Sequence, residues 1–65
     1  MVKVVLLRER RILDISYTGP IRDLLPLVDY GVETAVVLKN GSPVEEEEEV
    51  TEGDEIKIVP VVSGG

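Results

Sequence analysis

Few residues of this 65-residue chain have chemical potential: scattered carboxylates and lysines, and a terminal glycine pair. There is no cysteine and no histidine. That removes disulfides, thiolate and imidazole metal ligation, and the Ser-His and Cys-His nucleophile pairs. Asp14, Asp23 and Asp54 stand at no spacing that makes a motif. The five consecutive glutamates at 45–49 read as a solvated loop protecting a sheet edge. Without ordered ligand geometry they do not make a calcium site. Arg8, Arg10 and Arg11 make a basic turn that reads as solvated, and nothing marks Lys3, Lys39 or Lys57 as special. Neither a catalytic residue nor a metal site is expected. Gly64 and Gly65 remain. Glycine has no Cβ and takes backbone angles closed to other residues, so this end of the chain can lie flat against another backbone. The same pair also reads as a plain flexible tail.

A chain this short is one small domain. It buries only about 60% of its unfolded surface, and without cysteine no disulfide can staple it. Its seven Lys and Arg against thirteen Asp and Glu give a net charge of −6. With no basic tract, it is not expected to bind nucleic acid or an anionic membrane surface. No apolar run approaches the roughly 18 residues a membrane span needs, and Met1 leads directly into a strand-like segment. The expectation is a cytoplasmic protein too small and chemically sparse to be a self-contained enzyme. Glutamine is absent and asparagine occurs once, which with abundant Glu and Arg hints at a thermophilic source.

The elements follow from the apolar inventory. Valine and isoleucine outnumber leucine 17 to 7, and there is no Phe or Trp, a balance that favours strands over helices. Residues 2–7 read as a strand with Val2, Val4 and Leu6 inward. Residues 8–11 read as a turn, and 12–17 alternate as a returning strand, making an antiparallel hairpin. The period then changes. Ile21, Leu24, Leu25 and Val28 form one helical stripe, with Thr18 or Gly19 as cap and Pro20 in the first helical position. Pro26 predicts a short helix ending or kinking near Leu25, with Leu27 and Val28 packed beneath it.

Residues 34–39 are the third strand, with Val36 and Leu38 expected inward and Val37 outward. Asn40-Gly41 signals a type I′ hairpin, and Pro43 confines the returning strand to an edge. Residues 45–51 read as an acidic connection and Glu52-Gly53-Asp54 as a turn. Residues 55–61 are the last strand, with Ile56 and Ile58 inward.

The order β-β-α-β-β-β with one helix predicts two layers. This is an α+β fold with a mixed four- to five-stranded sheet packed on one short helix. Placing the last strand beside the first, in parallel, closes the inner face around the helix and gives a β-grasp, ubiquitin-like domain over 1–62 with a flexible tail at 63–65. A five-stranded barrel of the oligonucleotide-binding type is the structural rival.

The opening strand, the segment Thr18-Gly19-Pro20-Ile21-Arg22-Asp23-Leu24-Leu25 and the Val36 to Gly41 hairpin together resemble the ubiquitin-like sulfur carriers of the ThiS and MoaD families and the archaeal ubiquitin-like modifiers. So do Glu52-Gly53-Asp54-Glu55-Ile56 and the ending Val62-Ser63-Gly64-Gly65. The resemblance covers the whole chain, and the length suits the shorter ThiS type. Pro26 and the five-glutamate run depart from the family pattern. The resemblance implies a carrier rather than an enzyme. Gly65 would be adenylated by an ATP-dependent, E1-like activating enzyme and converted to a thiocarboxylate, with Gly64 giving access. Sulfur would then pass to an accepting synthase or protein target, in thiamin, molybdopterin or tRNA thiolation pathways. No cofactor is expected to be bound, ATP being used by the partner. A lysine-linked modifier and a non-reactive β-grasp binding module are the alternatives.

Val5, Leu7, Val37, Val59 and Val61 are expected to gather on the sheet face opposite the helix. With Val62 and Ser63 they make the partner surface of a protein that is a monomer when free. An exposed apolar patch of this kind suggests a partner site, and a one-residue register error would return some of these residues to the core. The glutamate run could alternatively meet a basic groove on the activating enzyme.

Overall fold

The computed structural model describes residues 1–31 and 35–61. Two strands, β1 (Val2–Leu6) and β2 (Arg11–Ile15), form the opening antiparallel hairpin. A two-residue strand β3 (Gly19–Pro20) leads into a single helical turn α1 (Ile21–Leu24) and a 3₁₀ turn, Leu25–Val28. Strands β4 (Ala35–Lys39) and β5 (Ser42–Val44) make the second hairpin. A short β6 (Glu49–Val50) pairs with β3, and β7 (Glu55–Pro60) closes the fold. The main sheet has the order β2-β1-β7-β4-β5. Strand β7 lies parallel to β1 and antiparallel to β4. This is the mixed five-stranded sheet over one short helix expected of a β-grasp, not a closed barrel.

The core forms where the inward side of the sheet meets the helix. Val2, Val4 and Leu6 of β1 and Ile56 and Ile58 of β7 are buried against Ile21, Leu24 and Leu25. Burying a side chain of this size stabilises by about 1.5–3 kcal/mol. In a chain without disulfides this cluster carries most of the fold's stability.

Four expectations are corrected. The first is the facing of β4. Val37 is 5% exposed and Val36 44% exposed, the reverse of the expected pattern. Apolar residues fill both sides of Ala35-Val36-Val37-Leu38, so composition alone does not orient this strand. The hairpin does. Asn40 and Gly41 both take positive φ (52° and 90°), which closes a two-residue turn pairing Lys39 with Ser42. Val37 therefore stands opposite Val44 on one side and Ile58 on the other, facing the core.

The second concerns the helix start. Pro20 is extended (φ −75°, ψ 155°) and precedes the helix, and no side chain caps it. The Ile21 and Arg22 amides instead donate to the carbonyls of Glu48 (2.9 Å) and Glu46 (3.0 Å). The acidic segment thus supplies main-chain acceptors to amides that have no partner within the helix. Third, residues 45–51 are more than a loop, since Val50 is fully buried and Glu49-Val50 pairs with Gly19-Pro20.

Fourth, Leu27 is 65% exposed. The tighter 3₁₀ turn after Leu24 has about three residues per turn, which keeps Leu25 in the core and swings Leu27 outward. The helix changes character at Leu25, as Pro26 predicts. Asp29, at φ 66°, ends the segment, and the Tyr30 amide donates to the Leu25 carbonyl at 2.9 Å.

Candidate functional site

The last strand is the site's foundation. β7 lies in the middle of the sheet, bonded to β1 on one side and β4 on the other. Its start is held by a cluster of short hydrogen bonds. The Asn40 amide donates to the Glu55 carbonyl (2.8 Å), and the Glu55 amide donates back to Asn40 Oδ1 (2.9 Å). The Asp54 carboxylate accepts from the Thr51 amide (2.9 Å) and from Asn40 Nδ2 (3.2 Å). Those bonds, the Thr51 amide first and Asn40 next, hold the Asp54 carboxyl below its ordinary range. The Lys3 amide donates to the Asp54 carbonyl at 3.0 Å, tying the same turn to β1.

At its other end β7 pairs through Pro60 with Ala35, and the Leu7 amide reaches the Ile58 carbonyl (3.3 Å). Val61 follows, exposed. The end of β7 therefore lies at the centre of the sheet, near Leu7 and the start of β4. Val62, Ser63, Gly64 and Gly65 lie outside the described residues, as does Thr34 of the expected third strand.

Beside that end of β7 the sheet presents its outward face. Val5 and Lys57 are neighbours across β1 and β7, and Val59 pairs with Val36 across β7 and β4. Leu38 pairs with Lys57 on the same side, and Ile12 stands opposite Val5 on β2. Val36, Ile12 and Leu7 are exposed, while Val5 and Val59 are half-buried. Of the expected partner surface, Val5 and Val59 face outward, and Leu7 and Val61 are exposed beside the end of β7. Val37 is removed by its burial. Val36, Leu38 and Ile12 take its place, and the Asn40-Gly41 register was the signal that could have found the first two.

The turn between β1 and β2 adjoins that end of β7 and is partly tied down. Tyr30 is buried, and its hydroxyl donates to Glu9 at 2.9 and 3.2 Å. Arg8 bonds the same carboxylate at 2.9 Å and lies 5.4 Å above the Tyr30 ring. Burial first, then the bond to Glu9, pushes the Tyr30 hydroxyl pKa up. Arg8 is thus engaged in a structural contact rather than purely solvated. Arg10 and Arg11 are exposed.

Lys39 is bound as well, to Glu48 Oε2 (2.8 Å) and the Glu49 carbonyl (3.0 Å). The Glu48 bond raises its pKa above the ordinary lysine value. Lys3 and Lys57 remain on the outward face.

Among the described residues no three carboxylates gather closely enough to hold a metal ion, and no helix is long and apolar enough to cross a membrane. What the geometry offers is a β-sheet body, an apolar outward face and a central strand whose far end leads to Val61. In comparison with known proteins, the model of the ThiS family matches residues 7–65, a span that runs from the end of β1 through Gly64 and Gly65.

Proposed function

This chain belongs to the ThiS family of small ubiquitin-like carrier proteins, and on that premise we propose that it is a sulfur carrier whose reactive group is the carboxylate of Gly65. The observation that carries the reading is the extent of the match. It takes in every element after β1, β7 included, and the Gly64-Gly65 pair beyond it. The chain acts as a protein cosubstrate in the cytoplasm, monomeric when free, for an E1-like activating enzyme.

A carboxylate oxygen of Gly65 attacks the α-phosphorus of ATP. Pyrophosphate leaves, and an acyl-adenylate forms. Hydrosulfide then adds to the acyl carbon, the acyl carbon–oxygen bond breaks with its electron pair leaving on AMP, and loss of the sulfur-bound proton to solvent leaves a thiocarboxylate. That sulfur passes to an accepting synthase in thiamin or molybdopterin biosynthesis or in tRNA thiolation. The chain's own contribution is positional. Gly64 and Gly65 carry no side chain to obstruct a narrow channel or crowd the reacting carbonyl. Val62 and Ser63 lead the tail from the body into the partner. Val5, Leu7, Val36, Val59 and Val61 dock the enzyme, so much of the binding energy comes from contacts remote from the reaction. With no cysteine in the chain, sulfur has only the terminus to ride on.

The test is ATP–pyrophosphate exchange catalysed by the activating enzyme, with the full chain and with a variant lacking Gly65. Exchange supported by the full chain and lost with the deletion agrees with the reading. Equal exchange with both, or none with an enzyme proven active on its own carrier, rejects it. Products joined to target lysines in place of the thiocarboxylate would assign the chain as a modifier instead.

A further inference from the structure

At the edge of the sheet a groove of about 200 Å³ opens between α1 and the β4–β5 hairpin. Its apolar lining is formed by Ile21, Leu25, Ala35, Val36, Val37 and Val44, and Glu45 and Glu46 stand at its rim. The acidic segment is fixed there by its main chain. The carbonyls of Glu46 and Glu48 accept from the first amides of α1, and Glu49-Val50 pairs with Gly19-Pro20. These bonds require no glutamate side chain.

Within the run, Glu48 bonds Lys39, while the carboxylates of Glu45, Glu46 and Glu47 form no hydrogen bond or salt bridge with a described residue. Consecutive like charges repel, and no bond to a described residue offsets that for these three carboxylates. An apolar hollow with exposed, unpaired carboxylates on a fixed main chain at its rim is complementary to an aliphatic side chain flanked by cations. The edge strand does not invite strand addition, because Pro43 has no amide to donate. Recognition would therefore go through side chains.

We propose that this groove is a second docking site, for an extended segment of a partner protein that places one branched aliphatic side chain in the hollow and a lysine or arginine beside Glu45 and Glu46. The site shares none of its lining with Val5, Leu7, Val59 or Val61. A partner held there leaves the tail free for activation.

The test is a titration of the full chain, labelled with nitrogen-15, with the blocked peptide Ser-Leu-Lys-Arg-Ser, followed by amide shifts. Two control peptides carry serine in place of leucine, or two glutamates in place of the Lys-Arg pair. The expected result is saturable binding with shifts centred on Ile21, Leu25, Ala35 and Val44. Removing the leucine should weaken binding roughly tenfold. The surface variant Glu45→Gln/Glu46→Gln should weaken it about fivefold. Equal binding of the leucine-free peptide would reduce the effect to general charge attraction and overturn the proposal. Shifts centred on Val5 and Val59, or no saturable binding at millimolar peptide, would overturn it too.

Discussion

Val37 of β4 stands directly opposite Ile58 of β7, and both are buried. That pairing decides which side of β4 belongs to the core and which to the outward face. It follows that neighbouring valines in one strand should respond very differently to the same truncation. Val37→Ala removes two buried methyl groups and should destabilise by roughly 1–2 kcal/mol. Val36→Ala should stay within about 0.5 kcal/mol, as surface changes usually do. Urea denaturation of the two variants checks the register, and equal losses would contradict it.

The outward face gives a functional counterpart. Val36 is 44% exposed, so Val36→Asp places a charge on the outward face beside Val59. The carrier's KM with the activating enzyme should rise roughly tenfold, as expected when an interface anchor is lost. The rate at saturation should hold, because the terminal glycines are unchanged. A fall in that rate with unchanged KM would argue against docking through this face.

Much of the fold was legible because its signals were local and mutually consistent. Lys3 within an otherwise apolar β1 marked its outer side, Asn40-Gly41 named the hairpin turn, and Pro26 marked the change at Leu25. The facing of β4 was not legible from composition, since apolar residues occupy both of its sides and a strand's facing is set by pairing. The helix start was missed for a related reason. Its acceptors are the carbonyls of Glu46 and Glu48, more than twenty residues away in sequence, and a backbone carbonyl leaves no mark on residue type. For the site, the terminal glycines could be singled out from sequence because their order after a Gly-Asp turn and an apolar strand is distinctive. The outward surface depended on register and was only partly recovered.

Gly19 combines a positive φ with a close side-chain neighbour. Its φ is +149°, and an added Cβ would lie 2.9 Å from the Tyr17 hydroxyl. That hydroxyl donates to the Pro20 carbonyl at 2.6 Å and so cannot move aside freely. Gly19→Ala should destabilise by roughly 1–3 kcal/mol, read from the denaturation midpoint. Pairing it with Tyr17→Phe should recover part of that loss, because the clashing oxygen is then gone.

Asp54 predicts a pH dependence. Its folded-state pKa is lowered, first by the Thr51 amide and then by Asn40. A group lowered on folding contributes stability above its unfolded value, and the contribution is lost as pH falls through the folded value. The stability gap between the parent chain and Asp54→Ala should therefore be constant near neutrality and narrow below the model-peptide value of 3.8. Urea midpoints across that range measure it. A gap that widens on acidification would contradict the assigned bonds.

The central claim is the chemistry at Gly65, and intact mass reads it directly. The full chain is incubated with ATP, hydrosulfide and the activating enzyme, beside a chain lacking Gly65. The account predicts a mass gain equal to exchanging one oxygen for sulfur, localised to the terminal residue and absent from the deletion. An unchanged mass with an enzyme proven active, or the same gain in the deleted chain, would contradict it.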